Sequence, residues 1–124
     1  MKKPLSVITA ALVLFAGTAT ANAHTVLVYS NPKSGAIIKS LPKSITLRFA
    51  EPLLTLAGQV INKVSVTDQN GSVVTTGKNL SSGAVLTNTF KSIAAKKGIY
   101  RVSYRVSAQD GHVVIGSYTF TLKN

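Results

Sequence analysis

Tyr100-Arg101-Val102-Ser103-Tyr104-Arg105-Val106-Ser107 alternates large apolar or aromatic residues with polar ones through eight positions. A period of two belongs to a strand with one face buried and one in water. A helix would need the apolar residues three and four apart, and this stretch places them only at even spacings. Working outward, the same pattern recurs in Ile45, Leu47 and Phe49, in Val64 and Val66, and in Tyr118, Phe120 and Leu122. Thr25 to Ser30, Ser72 to Thr75 and Ala84 to Phe90 are further β-rich stretches. Turn clusters separate them: Asn31-Pro32-Lys33-Ser34-Gly35 and Asp68-Gln69-Asn70-Gly71. Residues 52–59 read equally as a loop or an edge strand. About seven short strands and no amphipathic helix predict an all-β, antiparallel sandwich or Greek-key barrel. Phe49, Val66, Tyr100, Val102, Val106 and Phe120 are expected to face its core.

The chain has 124 residues, enough for one such domain. Residues 1–23 carry the marks of an export signal. Lys2 and Lys3 make a positive start, Leu5 to Ala16 a short apolar run, and Ala21-Asn22-Ala23 a small-residue cleavage site. The apolar run falls short of the roughly 20 residues that span a bilayer. The expected product is residues 24–124, released into a bacterial periplasm and not embedded in a membrane.

Lysine and arginine total 14 against 3 acidic residues, a formal charge of +11. The basic residues are scattered, without a run interleaved by aromatics, so a nucleic-acid partner is not expected. There is no cysteine, which excludes disulfides, thiolate metal sites and a lipid-anchoring thiol.

Only two histidines occur, His24 and His112. Cleavage after Ala23 would make His24 the amino terminus, offering one metal ion an α-amine and an imidazole. Asp110 and His112 are two apart, so an extended backbone points both to one side, with Gly111 between them free to turn. Asp-Gly is also a common hairpin turn, and alone it signals no more than that. Together with a terminal His24, the set becomes three nitrogens and one carboxylate oxygen. That suits tetragonal copper(II), which also binds most tightly among divalent first-row ions. Zinc would prefer a tetrahedron. Copper(I) would prefer sulfur, and the only methionine is Met1.

These residues resemble the CopC family of periplasmic copper-binding proteins. The first matching block is His24, Leu27, Ser30, Pro32, Gly35, Leu41-Pro42, Leu47, Phe49 and Glu51-Pro52. The second is Tyr100, Val102, Val106, Asp110-Gly111-His112 and Gly116. Two positions depart from the family pattern: Tyr104 stands for a tryptophan and Ala108 for a serine. The methionine-rich copper(I) site of some members has no counterpart here. The resemblance implies an immunoglobulin-like Greek-key β-barrel or sandwich and one copper(II) ion per chain. It also implies that Glu51 lies near the metal, as an outer partner or weak extra ligand. Members are linked to copper tolerance or uptake, sometimes beside an inner-membrane copper transport protein.

The expected function is therefore a monomeric copper(II) carrier or buffer, not an enzyme. One alternative is a terminal-histidine copper oxidase or monooxygenase, against which Asp110 would fill a position that oxygen chemistry needs open. The other is a metal-free module that binds envelope polymers through the basic surface.

Overall fold

The computed structural model describes residues 25–123. His24 and the signal segment 1–23 lie outside them. All eight elements are strands: β1 (Leu27–Asn31), β2 (Ile37–Ile38), β3 (Ser44–Phe49), β4 (Lys63–Thr67), β5 (Leu80–Ser82), β6 (Val85–Thr89), β7 (Gly98–Ser107) and β8 (Val113–Leu122). They form two four-stranded sheets, ordered β1-β3-β6-β5 and β2-β8-β7-β4. The two sheets stay separate, so the all-β expectation resolves to a sandwich. Among the described residues, no helix is long and apolar enough to cross a membrane.

The quoted stretch is the middle of the longest strand. β7 and β8 make a ten-residue antiparallel hairpin, in register from Gly98↔Leu122 to Ser107↔Val113. All six residues expected in the core are buried: Phe49, Val66, Tyr100, Val102, Val106 and Phe120. They meet Ile45 and Leu47 of β3 and Leu86 of β6, so the inner faces of both sheets share one core. Tyr100 stacks on Phe120 with ring centres 5.3 Å apart, and Phe49 meets Tyr104 edge-on at 5.5 Å. Each such side chain contributes about 1.5–3 kcal/mol by leaving water. Tyr104 is half-buried, with its ring over Gly116, where a Cβ would collide with it.

Three local expectations change. Ser72 to Thr75 is not a strand. It makes single bridges, Thr67↔Val73 to one sheet and Thr75↔Phe90 toward the other. The segment instead covers the open edge of β4 at Val66, while Asn79 and Asn88 cover it at Val64. Val64 N–H donates to Asn79 Oδ1 and Val66 N–H to Thr75 Oγ1. The Val64 carbonyl accepts from Asn88 Nδ2 and the Val66 carbonyl from Val74 N–H. The short strands β2 and β5 are additional; two and three residues are too few to show a period. β2 runs parallel to the end of β8, Ile37↔Thr121 and Ile38↔Leu122. β8 starts at Val113, earlier than the Tyr118-Phe120-Leu122 pattern suggests.

The turn at Asp68–Gly71 forms as expected: Asp68 Oδ1 accepts the Asn70 and Ser72 N–H groups, and Gly71 takes φ +85°. Residues 52–59 are a loop pinned at Leu53, which is buried and bridges to Ala108. Asn62 fastens the same loop to β7, accepting from Ser107 N–H at 2.9 Å and donating to the Leu54 carbonyl at 2.8 Å. The loop therefore brings Glu51-Pro52 against the tip of the long hairpin.

Candidate metal centre

The tip is Ala108-Gln109-Asp110-Gly111-His112. Ala108 closes it twice: its carbonyl accepts Gly111 N–H at 2.9 Å and its N–H donates to the His112 carbonyl at 2.8 Å. Gly111 adopts φ +92°, a left-handed angle that side-chain-bearing residues rarely take. Asp110 then folds over the turn. Oδ1 accepts His112 N–H at 3.0 Å, and Oδ2 lies 2.8 Å from His112 Nδ1. Both side chains are more than half exposed, so an ion from solvent reaches them.

The second part of the site comes from the start of the described chain. Thr25 is 1% exposed, and its hydroxyl is clamped to the Glu51 backbone. Glu51 N–H donates to Thr25 Oγ1 at 3.2 Å, and Oγ1 donates to the Glu51 carbonyl at 3.3 Å. One residue on, Ala50 N–H donates to the Val26 carbonyl at 2.8 Å. Thr25, Glu51, Pro52, Ala108, Gln109 and Asp110 line one cleft of about 280 Å³.

Asp110 and His112 are thus brought together, and Glu51 shares the cleft with Asp110. Among the described residues, no three His, Cys, Asp or Glu side chains gather closely enough to hold an ion by themselves. Thr25 was not singled out as part of a site in the sequence. Its one signal there is its position, one peptide bond after His24. Two of the chain's three carboxylates, Glu51 and Asp110, line this cleft in a protein with 14 lysines and arginines. The cleft therefore gathers most of the chain's acidic side chains at one place.

The fold and this cleft define a small two-sheet β-sandwich with its chemically distinctive side chains collected at one end, where β1 begins and β7 turns into β8. The family model for the CopC domain matches residues 27–123, and the chain belongs to the CopC family. It is similar to the crystal structure of CopC from Methylosinus trichosporium OB3b, with 29% identity and a TM-score of 0.69 over 81% of this chain and 94% of that one. It is also similar to PcoC, a methionine rich copper resistance protein from Escherichia coli. Identity there is 25% and the TM-score 0.65, over 82% of this chain and 100% of that one. No curated protein matches the chain. Unlike a methionine-rich relative, this chain has methionine only at position 1.

Proposed function

We propose that the protein is exported, loses residues 1–23, and carries or buffers copper(II) in the periplasm as a cargo of one ion per chain. The donors are the His24 amine and imidazole, the Asp110 carboxylate and the His112 imidazole, with Glu51 acting from the side of the cleft. The observation that carries this reading is the Asp110–His112 pair beside a cleft that Asp110 lines together with Thr25, the residue after His24. Consecutive Cα atoms are about 3.8 Å apart, so a residue preceding Thr25 starts within reach of that cleft.

Three nitrogens and one carboxylate oxygen suit tetragonal copper(II), where zinc would prefer a tetrahedron. The donors are hard or intermediate, and the domain offers no sulfur, which supports the divalent state. Membership of the family and the likeness to a copper resistance protein support a place in copper resistance.

Electron paramagnetic resonance of copper(II) bound to protein beginning at His24 tests the donor set. An axial spectrum with hyperfine coupling to three nitrogens is the expected result. Absence of a one-to-one complex would overturn the proposal. An oxidative role would instead show as peroxide production from the copper-loaded protein with ascorbate.

A further inference from the structure

A second and larger hollow lies elsewhere, a groove of about 920 Å³ on the β4-β7-β8 side of the sandwich. The strand register explains its shape. Ser65, Ser103 and Ser117 are aligned across β4, β7 and β8, a row of three short side chains that leaves a trough. The neighbouring row on the same face is Lys63, Arg105 and Ile115, three long or branched side chains that wall it. Beyond the edge of β4, Val73 and Lys91 continue the lining. The far wall is held rigidly: buried Asn88 uses both amide hydrogens, on the Val64 carbonyl and Asn79, and its oxygen accepts from Thr76 and Gly77.

The charges of this groove are uncompensated. Lys63 and Arg105 are direct cross-strand partners, an arrangement in which like charges repel. Among the described residues, no lysine or arginine forms an ion pair; the salt bridge is Asp110 with His112. Lys91 adds a third cation, and no carboxylate lines the groove. Beside these cations Ile115 is 73% exposed and Val73 48% exposed. An anion would relieve the repulsion, and an apolar body would cover the two exposed side chains. The volume lies in the range that accommodates a single small molecule. A membrane plane would rest on the Lys63-Arg105-Ile115 row and leave the serine floor empty.

We propose that this groove binds a free, small amphipathic anion, an apolar body bearing a carboxylate, sulfonate or phosphate group. The site is separate from the Asp110–His112 cleft and does not depend on copper.

Anilinonaphthalene sulfonate is a suitable probe, with phenylnaphthylamine, the same apolar body without the charge, as its control. The expected result is saturable one-to-one binding of the sulfonate, at least tenfold weaker in the double variant Lys63→Gln with Arg105→Gln. A control double variant, Lys33→Gln with Lys123→Gln, removes the same charge away from the groove and should bind as the wild type does. Equal weakening in both doubles would show a diffuse charge effect and overturn the site. Equal affinity for the uncharged probe would do the same. So would binding to phosphatidylglycerol vesicles with no saturable binding of the soluble sulfonate, which would mark a membrane-facing surface instead.

Discussion

His112 Nδ1 lies 2.8 Å from Asp110 Oδ2, while the other oxygen of that carboxylate accepts the His112 backbone N–H. Asp110 therefore sets both the turn and the ring orientation of His112. The two residues act on a metal as a unit, and their substitutions should differ in kind.

His112→Ala should weaken copper(II) binding most, by more than about 100-fold, because a ligand nitrogen is deleted. Asp110→Asn should weaken binding less than His112→Ala, because the amide oxygen can still coordinate but has lost its charge. Glu51→Gln should have the smallest effect, within about tenfold. Isothermal titration orders the three, and wild-type affinity in His112→Ala would remove that residue from the site.

A second expectation concerns packing near the middle of the hairpin. A Cβ at Gly116 would collide with the Tyr104 ring. Gly116→Ala should therefore cost about 1–3 kcal/mol, the usual penalty of overpacking. Tyr104→Val in the same chain should recover most of that loss. Thermal unfolding of the two single variants and the double gives the coupling directly. An additive double would mean that the ring moves aside without strain.

Asn88 offers a sharper stability test. It is 1% exposed, and its amide bridges β6 to the edge of β4 and to the 76–79 loop. Asn88→Ala orphans the buried Val64 carbonyl, at about 1–3 kcal/mol for a group left unpaired in the interior, while the exposed Gly77 N–H can turn to water. At about 4–8 °C per kcal/mol, the melting temperature should drop clearly. An unchanged melting temperature would show that water replaces the amide at no cost.

These tests fall on features of unequal visibility in the sequence. The buried face of Tyr100–Ser107 was legible because alternation is a local property. Asp110 and His112 were legible as a pair because one glycine separates them, although they meet across a turn and not along the extended backbone that alternation implies. Glu51 was reached only through family resemblance; its place in one cleft with Asp110 depends on the Leu53↔Ala108 bridge and the Asn62 tether, contacts between distant segments. The cation pair Lys63–Arg105 was illegible because it exists only once β4 and β7 take their register. Ser72–Thr75 misled because its composition suits a strand, while tertiary demand at the β4 edge turned it into a cover.

Alkaline pH should expose the buried tyrosines. Burial raises the Tyr104 hydroxyl above its ordinary value near 10. Burial also raises Tyr118, against a hydrogen bond from Ser30, and Tyr100, against one to the Lys96 backbone. Between the unfolded and the raised folded value, the folded chain holds protons that the unfolded chain has lost. Stability is therefore intact below about pH 9 and falls as pH rises past about 10. Tyr104→Phe removes one such group, so its stability relative to wild type should improve progressively above about pH 10 in urea titrations. A difference independent of pH would show that Tyr104 ionises equally in both states.

Copper(II) affinity is expected to depend on where the chain begins. With Ala23 still attached, the His24 nitrogen belongs to a peptide bond, and a neutral amide nitrogen is a poor ligand. Cutting after Ala23 releases a primary amine with an ordinary pKa near 7.7–8.0. Copper must displace its proton, so affinity should rise with pH until the amine and both imidazoles are unprotonated. The amine and imidazole of one residue close a chelate, so the second bond forms at high effective concentration. The clamp at Thr25 matters here, because it holds the residue after His24 against Glu51, in the cleft that Asp110 also lines. One inserted residue would move the amine by about 3.8 Å, farther than a metal bond of about 2 Å can follow. Protein starting at His24 should therefore bind copper(II) at least about 100-fold more tightly than protein starting with an added glycine, at equal pH and buffer. Thr25→Val, which removes the clamp but leaves the amine, should fall between the two. Equal affinities in the first pair would show that the amine is not a ligand, and that Ala23–His24 is only a cleavage junction.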